Sequence, residues 1–455
     1  MSKVTDIDLV IRDGIVIPMD DRTAFEGDIA VKDAKIIALG PHLDLNGTEE
    51  IDASGCVVLP GLINAHSHEC MERGWFEDLP FDTWLNDHAQ PKDRAYTAAD
   101  QRAAALLNQA EMIASGVTTF VDMFRFPGEA ASVAVDSGLR AIIAPQLIDS
   151  TPDVGETLEA NLTAFDEWHG TGNGRVSVWF GPHAPYSCSE EMLTAVGEAA
   201  RARGTGITTH LAESRWEDSS IRERTGLSPT AYLDRVLGLA GDVLVAHAVH
   251  VDTTDIELLA AHDVAVAHCP TSNMKLGNGM APIPELLTAG IRVGLGTDSI
   301  MTNNNLDLFE EMRQAALLAK LRREDPAVLP AWTTLEMATI HGARALGLED
   351  SIGSLEVGKR ADLILVNLDQ PHLWPFHQST SGFGNLVENL VYSARASDVV
   401  GTVVDGQVLM SDSILRTLDL AEVRRNVEEQ GADLLRRAGA ESVVLARLGR
   451  REIKE

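Results

Sequence analysis

Short segments of alternating apolar and polar residues open the chain and return near its end. Residues 1–58 include DLVIRDGIVIPM and GDIAVKDAKIIALG, which are interrupted by Asp-Gly, Gly and Asn turn signals. The same texture returns in GSLEVGKRADLILVNL and VVGTVVDGQVLMSDS. Alternation with a period of two predicts short β-strands. Because the later segments are too short for a core of their own, we expect residues 1–58 and 353–415 to build one small β-sandwich together.

Residues 59–352 have a different pattern, in which short apolar runs alternate with longer amphipathic segments. This alternation is typical of βα units and a parallel sheet. Eight apolar runs predict an α/β fold built as a (β/α)8 TIM-type barrel; they span residues 57–66, 117–124, 140–147, 176–183, 206–213, 243–250, 264–270 and 292–299. Residues 416–455 carry a charged helical pattern, which predicts a C-terminal helical extension.

Composition restricts the partners and the compartment. The chain has 37 Lys and Arg residues against 68 Asp and Glu residues, a formal charge of −31, so nucleic acid would be repelled and is not expected as a partner. An apolar signal core and runs of about 18 apolar residues are both missing, so no membrane contact is expected. The 4 cysteines form no CxxC pair, which favours a reducing, cytoplasmic location.

Histidines and one aspartate lie at the ends of the predicted strands. His66 and His68 are two residues apart, so both side chains project from the same face of a strand. His210 and Asp298 lie at two other strand ends, and the carboxyl ends of barrel strands carry the active site. Four independent core residues would each need their own hydrogen-bond partners. We therefore predict that His66, His68, His210 and Asp298 bind one divalent metal ion.

Six further motifs are PGLINAHSH, HAPYSCS, THLAES, HAVH, HCPTSNMKLGNGMAPIPELL and GLGTDS. Together they resemble the amidohydrolase superfamily, and within it the methylthioadenosine/S-adenosylhomocysteine deaminase branch. Triazine aminohydrolases and chlorohydrolases are neighbouring branches. The resemblance covers most of the chain and is far more specific for the superfamily than for the substrate. It implies a hydrolytic deaminase that converts an exocyclic amine of a purine-like ring to a carbonyl and releases ammonia, and by analogy a homodimer or homotetramer.

The resemblance also implies catalytic roles. Glu213, three residues after His210, would carry a proton to a ring nitrogen of the substrate. His247 would orient or polarise the attacking water, and Asp298 would both bind the metal and accept the water's proton. The fourth predicted strand, VSVWFGPH, contains no lysine, whereas binuclear relatives use a carboxylated lysine there. One ion per subunit is therefore expected, with zinc first and iron or manganese as alternatives.

Substrate contacts follow from the same resemblance. Glu77, in GWFEDLPFDTWL, resembles the acidic residue that takes ribose hydroxyls in nucleoside deaminases. His183 resembles the substrate-contacting histidine of the fourth strand. Trp75 is expected to line an apolar pocket together with other aromatic residues of its segment, namely Phe76, Phe81 and Trp84. Arg140 is a candidate for binding a substrate carboxylate, as arginines near the second and third strands do in homocysteine-binding relatives.

Other residues leave the substrate open. Glu69 and Cys70 replace the small residues usual after this His-x-His motif, and Gln146 stands where a second arginine would be sought. The alternative substrate is therefore a triazine or another N-heterocycle, attacked by deamination, dealkylamination or dechlorination; Arg125 is one of the residues that motivate it. A catalytically inactive scaffold is a further alternative, which the complete set of ligands and Glu213 disfavour.

Overall fold

The computed structural model describes residues 7–79, 83–379 and 382–445. Within these ranges both ends of the chain contribute to one nine-stranded mixed sheet. Leu363–Asn367 pairs antiparallel with Cys56–Pro60, which joins the C-terminal strands to the N-terminal ones. The strands of this sheet are Ile7–Val16, Phe25–Lys32, Lys35–Gly40, Gly47–Asp52, Cys56–Pro60, Leu363–Asn367, Val399–Val404, Gln407–Ser411 and Ile414–Leu415. The two alternating regions of the sequence thus form one β unit.

The middle of the chain carries parallel strands, and this confirms the predicted α/β class. One parallel sheet has the order Val176–Val178, Arg140–Ile143, Val117–Asp122, Leu62–His68 and Asp298–Ser299. A second has the order Ile207–Leu211, Val243–His247, Ala265–His268 and Val293–Leu295. Gln146–Leu147 and Gly181–Pro182 form a short parallel pair. Pairing of Ser67 with Asp298 places the last parallel strand beside the first.

Helices separate these strands along the chain. Their bounds are Gln90–Ala95, Ala98–Ser115, Pro127–Ser137, Leu158–Trp168, Thr171–Gly174, Glu190–Arg203, Arg215–Thr225, Pro229–Leu237, Thr253–Ala261, Pro270–Lys275, Ile283–Thr288, Leu308–Arg323, Ala331–Ala338, Ile340–Ala345, Leu386–Tyr392, Leu420–Arg437 and Glu441–Leu445. Tighter or wider helical turns occur at Trp84–Ala89, Pro152–Val154, Pro371–Leu373 and Ala396–Asp398. In the described part of the chain, none of the helices combines the length and the apolar character that a membrane span requires.

The C-terminal helix Leu420–Arg437 packs against the helix Ala98–Ser115. That partner helix begins with a capping box between Thr97 and Asp100, in which each side chain accepts a backbone N–H of the other residue. Arg437, at the end of the C-terminal helix, lies 2.7 Å from Asp100 and also donates to the carbonyl of Ala95. The helical extension predicted from residue 416 is thus anchored near the start of the first long helix; its residues 446–455 lie outside the described residues.

Arg140 lies at the amino ends of the parallel strands, whereas the predicted metal ligands lie at the carboxyl ends. It is the first residue of its strand and is 8% exposed. Its Nε donates to Asp362 at 2.9 Å and its Nη2 to Asp405 at 2.7 Å. Both aspartates belong to the C-terminal part of the β unit, so Arg140 joins that unit to the parallel strands. The predicted substrate-binding role of Arg140 is therefore wrong, because its guanidinium is buried and paired at the amino end of the strands.

Candidate active site

The four predicted metal ligands meet at the carboxyl ends of the parallel strands. His66 and His68 come from Leu62–His68, His210 from Ile207–Leu211, and Asp298 begins its own short strand. The Nε2 of His68 lies 3.2 Å from Oδ1 of Asp298 and 3.2 Å from Nε2 of His210. The Nε2 of His66 lies 3.7 Å from the same oxygen of Asp298. Strand periodicity and parallel pairing therefore direct the four side chains toward one point.

This cluster fits a divalent metal ion. Both ring nitrogens of His66 are buried and have no hydrogen-bond partner among the described residues. Buried polar atoms normally have a partner, so an unpaired imidazole at this position indicates a ligand. Possible ligand atoms of His66, His68 and Asp298 lie within 4.8 Å of one another, and so do those of His66, His210 and His247. Imidazole nitrogens with one carboxylate form the donor set that suits catalytic zinc.

Hydrogen bonds fix the tautomers of two of these histidines. The Nδ1 of His210 lies 2.6 Å from the carbonyl oxygen of His183, and the Nδ1 of His68 contacts the carbonyl of Met123. A carbonyl oxygen only accepts, so each Nδ1 carries the hydrogen and donates it. The Nε2 of each neutral ring is then free of hydrogen and able to bind a metal.

Asp298 is held as an anion beside the histidines. Its Oδ2 accepts hydrogen bonds from the hydroxyls of Ser272 at 2.5 Å and Thr302 at 2.9 Å, which leaves Oδ1 facing His66 and His68. Burial opposes ionisation of Asp298, but His68 and the other surrounding histidines outweigh it and keep its pKa well below the ordinary value. The carboxylate is therefore ionised and oriented before any ligand binds.

Glu213 follows the strand that carries His210. Its Oε1 accepts a hydrogen bond of 2.8 Å from Nδ2 of Asn278, and burial raises its pKa. The buried carboxylate of Glu217 accepts the backbone N–H groups of Ala212 and Glu213, at 3.0 and 2.9 Å. The two carboxylate oxygens of Glu217, on the helix Arg215–Thr225, therefore fix the backbone that presents Glu213.

His247 and His183 complete the polar side of the site. The Nδ1 of His247 lies 3.0 Å from Oδ1 of Asn273, and its ring centroid is 5.5 Å from that of His66. The Nδ1 of His183 lies 2.8 Å from the hydroxyl of Ser187. Burial lowers the pKa of His183 to about 3, so this imidazole is neutral near neutral pH.

The backbone at these strand ends is strained. Ala212, His247, Ala248 and Asp298 have φ values of 50°, 74°, 47° and 60°, in the left-handed region that residues with a side chain seldom adopt. Ala212, His247 and Ala248 lie at the end of a strand or in the turn that follows it, and Asp298 begins a two-residue strand. Such strain is maintained only where the surrounding structure determines the conformation, and it concentrates at functional sites.

A cavity opens above the cluster. His68, His210, His247, Asp298 and Glu213 line it, together with residues of neighbouring segments: Cys70, Trp84, Ala89, Lys92, Asp93, Phe124, Gln146, His183, Tyr186, Leu276, Ser299, Met301 and Thr302. A concave site with a few convergent polar groups suits a small-molecule substrate. The structure therefore brings His183 together with the predicted metal ligands.

Two predicted substrate contacts are placed differently. Trp75 lies in the hydrophobic core and meets Phe76 edge to face, with centroids 6.0 Å apart, so it supports the site without lining the cavity. Glu77 accepts hydrogen bonds from Lys275 at 3.0 Å and Asn304 at 2.8 Å, next to the lining residue Met301. Of the other predicted aromatics, Trp84 lines the cavity and Phe81 lies outside the described residues.

Sequence reasoning missed the residues that hold this site in place. Ser272, Asn273 and Asn278 all lie in HCPTSNMKLGNG, which was identified as a motif without roles for its polar residues. Glu217 could have been found from the register of the helix that starts after HLAES, since it lies four residues after Glu213. Lys92 and Asp93 had no recognisable signal, because a charged pair on a short helix is usually exposed.

The α/β fold with histidines and an aspartate at its strand ends is the arrangement of a metal-dependent hydrolase. A family model described as the amidohydrolase family matches residues 57–409. The chain belongs to this family, and the resemblance found in its motifs is confirmed.

Individual relatives extend over nearly the whole chain. A 5-methylthioadenosine/S-adenosylhomocysteine deaminase of Moorella thermoacetica is 43% identical over 429 residues, which cover 93% of this chain and 98% of that protein. The crystal structure of an adenosine deaminase from Xanthomonas campestris with bound zinc has a TM-score of 0.89 at 30% identity, covering 94% of this chain and 99% of that one. The zinc complex of atrazine chlorohydrolase TrzN from Arthrobacter aurescens TC1 has a TM-score of 0.83 at 27% identity, covering 92% and 99%.

Proposed function

We propose that this protein is a metal-dependent aminohydrolase that converts the exocyclic amine of an adenosine-type ring to a carbonyl and releases ammonia. The observation that carries this function is the position of Glu213, a protonatable carboxyl group, in the same cavity as His68, His210 and Asp298. Deaminases of methylthioadenosine, S-adenosylhomocysteine and adenosine among the relatives support the substrate class.

We further propose that the parallel strands close into a (β/α)8 barrel spanning residues 59–352, with residues 1–58 and 353–415 as a β-sandwich and residues 416–455 as an extension. The strand order supports closure, because residues 293–295 pair with Ala265–His268 while residues 298–299 pair with Leu62–His68. A parallel bridge between Phe180 and Ile207 links the other ends of the two sheets. A ring of strands would explain why distant segments supply one site.

One divalent ion per subunit, with zinc as the first candidate, would be held by His66, His68, His210 and Asp298. Such an ion lowers the pKa of water toward neutrality and so supplies hydroxide for attack on the ring carbon. Zinc is present in the two structures of relatives described above. The Nδ1 atoms of His68 and His210 each donate to a backbone carbonyl, which leaves the Nε2 of each ring able to bind the metal and supports this ligand set.

The chain's own groups would then manage the protons. Glu213, whose burial favours the protonated form, would donate a proton to the ring nitrogen next to the attacked carbon, and Asn278 holds its Oε1 in place. Asp298 Oδ1 would receive one proton of the attacking water and pass it to the departing amine, and the second proton, released when the carbonyl forms, would return to Glu213. His247, fixed through Asn273, would orient that water. The neutral His183 would donate or accept one hydrogen bond at the substrate ring.

Glu77 is proposed to bind the sugar hydroxyls. Its carboxylate is held by Lys275 and Asn304 close to Met301 on the cavity wall, where it would accept hydrogen bonds from two sugar hydroxyls. The substrate's ring would then lie toward Glu213 and its sugar toward Glu77. We further propose a cytoplasmic homodimer or homotetramer that acts on its small-molecule substrate and water without nucleic-acid or membrane partners.

The proposed activity is tested by an ammonia-release assay on the zinc-loaded full-length protein. The panel would contain adenosine, 5′-deoxyadenosine, methylthioadenosine, S-adenosylhomocysteine, guanine and melamine. We expect release from the adenosine derivatives, and a loss of roughly a hundred- to ten-thousandfold in kcat for Glu213→Gln. Glu223→Gln, an exposed change on the following helix, should keep full activity. Metal-loaded protein that releases ammonia from no adenosine derivative would overturn the proposal.

Similarity to an atrazine chlorohydrolase favours one second candidate, the hydrolysis of a triazine or related N-heterocycle. The metal ligands would be the same, and only the leaving group would differ. Chloride or alkylamine release from chlorinated and N-alkylated triazines, measured in parallel with ammonia, separates the two activities. Chloride release without deamination of any adenosine derivative would favour the second candidate.

A further inference from the structure

A buried carboxyl group behind the cavity connects two segments of the active site. Glu311, on the helix Leu308–Arg323, is 0% exposed and is not among the described residues that line the cavity. Its Oε2 accepts the backbone N–H of Thr271 at 3.2 Å, and its Oε1 accepts from Nδ2 of Asn303 at 2.9 Å. Each oxygen therefore holds a different segment of the chain.

The first of these segments presents Asp298. The amide NH2 of Asn303 donates both to Glu311 and to the carbonyl oxygen of Thr297, the latter at 2.8 Å. Thr297 directly precedes Asp298, whose backbone has the left-handed φ value of 60°. On its other side Thr297 is held by Asn64, which accepts its N–H at 3.0 Å and donates to its hydroxyl at 2.8 Å. The strained turn that presents Asp298 is thus fixed from two sides.

The second segment is the short helix Pro270–Lys275, at whose start Glu311 accepts the N–H of Thr271. The next two residues hold the proposed proton acceptor and the proposed water-orienting group. Their contacts run from the hydroxyl of Ser272 to Oδ2 of Asp298, at 2.5 Å, and between Oδ1 of Asn273 and Nδ1 of His247, at 3.0 Å. One buried side chain is therefore connected to both groups that act on the attacking water.

Both oxygens of Glu311 must accept, because a backbone N–H and an amide NH2 only donate. Burial raises the pKa of Glu311 to about 8, and the hydrogen bonds from Thr271 and Asn303 oppose that rise without cancelling it. A carboxyl group can accept on both oxygens in either protonation state, whereas the amide nitrogen of glutamine cannot accept. Glutamine at this position would therefore lose one of the two contacts whatever the charge of the original side chain.

We propose that Glu311 is a positioning residue that sets the relative placement of Asp298 and His247 by holding the segments that present and support them. This inference rests on the proposed function, in which Asp298 both binds the metal and takes a proton from the attacking water. Loosening either segment would then weaken metal binding and slow the reaction together. Groups that contact only the substrate would keep their places, so substrate binding would change little.

Glu311→Gln in the full-length protein tests this role with two measurements. We expect the Kd for zinc, measured by competition with a chelating dye, to rise about tenfold. In the zinc-saturated variant, kcat for 5′-deoxyadenosine should fall about tenfold while KM changes by less than about twofold. Glu324→Gln, at the exposed C-terminal end of the same helix, is the matched control and should equal the unaltered protein in all three constants.

A purely structural role for Glu311 would lower the stability of the variant but leave the zinc Kd and the kcat of its folded molecules unchanged. That result would overturn the proposal. A higher KM with an unchanged kcat would also overturn it, because it would place Glu311 with the substrate contacts.

Asn303→Ala is a second variant, which serves even where Glu311→Gln does not fold. It removes the contact with Thr297 but leaves Thr271 bonded to Glu311, so the zinc Kd should rise and kcat should fall, each by about threefold to tenfold. In the double variant the loss of kcat should be clearly smaller than the product of the two single losses, because both changes act through one chain of contacts. Effects that multiply, or unchanged constants in Asn303→Ala, would overturn the proposal.

Failure of the proposed function gives a different result. It would appear as an absence of ammonia release from 5′-deoxyadenosine by the zinc-loaded, unaltered protein. The zinc Kd values of the unaltered protein, Glu311→Gln and Asn303→Ala need no turnover, so they would still decide whether Glu311 positions Asp298.

Discussion

The parallel strands have a carboxyl edge, formed by their C-terminal ends, and an amino edge, formed by their N-terminal ends. The two edges differ in how their buried polar groups are paired. At the carboxyl edge, His66 has two buried ring nitrogens without a hydrogen-bond partner among the described residues, and Asp298 and His247 have left-handed backbone conformations. At the amino edge, the buried guanidinium of Arg140 is matched by the carboxylates of Asp362 and Asp405. Unmatched groups and strain cost stability unless a ligand uses them, whereas matched charges hold segments together. Function and stability are thus assigned to opposite edges of the same strands.

The largest expected effect comes from the carboxyl edge. Asp298→Asn keeps the size of the side chain and an oxygen that can accept from Ser272 and Thr302, but it removes the charge beside His66 and His68. We expect zinc to fall below one equivalent and kcat/KM to fall by at least about a thousandfold. Because the surrounding histidines hold the pKa of Asp298 well below its ordinary value, its carboxylate stabilises the fold, and the metal-free Tm of the variant should fall modestly.

Metal content is measured by elemental analysis after dialysis, and Tm by calorimetry with a chelator present. Asp153→Asn, which changes an exposed aspartate, is the control and should retain both zinc and activity. An Asp298→Asn protein with a full zinc content and ordinary kcat/KM would show that the carboxyl edge is not the site of chemistry.

The amino edge should respond in the opposite way. Arg140→Met removes one member of the buried ion network and leaves Asp362 and Asp405 without their cation, so the free energy of unfolding should fall by roughly 3–5 kcal/mol. Molecules that remain folded should keep their kcat, because Arg140 does not touch the cavity. Urea unfolding measures the first quantity and initial rates at low temperature the second; the exposed Arg215→Met is the control. A loss of kcat without a loss of stability would contradict this division of the two edges.

The sequence predicts the carboxyl edge better than the amino edge. His66 and His68 are recognisable because a strand repeats every two residues, so their spacing alone places them on one face. Arg140 was assigned to the substrate because homocysteine-binding relatives use arginines near the second and third strands, yet a strand has two ends about 10 Å apart over four residues. Its partners Asp362 and Asp405 lie more than 200 positions away, and only the three-dimensional fold reveals them.

The remaining details depend on side-chain packing that no local pattern contains. The sugar-binding role of Glu77 stays a prediction, and its contacts with Lys275 on the helix Pro270–Lys275 and with Asn304 could not be read from the sequence. The buried position of Lys92 is equally unpredictable, since lysine is seldom buried without partners and both partners lie in loops or short helices.

The smallest expected effect comes from Glu217, which affects both the activity and the stability of the protein. This buried carboxylate accepts the N–H groups of Ala212 and Glu213, and desolvation raises its pKa to about 7. In Glu217→Gln the amide NH2 would face one of these donors, so we expect kcat to fall about tenfold with little change in KM, because only the orientation of Glu213 is affected. Unchanged kcat and KM in Glu217→Gln would show that Glu217 does not position Glu213.

The pH dependence gives an independent readout of Glu217. A carboxyl group whose pKa is higher in the folded protein than in the unfolded chain binds more protons when folded, so its contribution to stability falls as pH rises from about 4.5 to about 7. Glutamine has no such titration, and the free energy of unfolding of Glu217→Gln relative to the unaltered protein should therefore rise across this window, by about 2 kcal/mol. Urea unfolding at several pH values in that window measures the difference, in which the titration of all other groups cancels. A difference that stays constant or falls with pH would mean that Glu217 is ionised throughout and fixes the Glu213 backbone without a cost in stability.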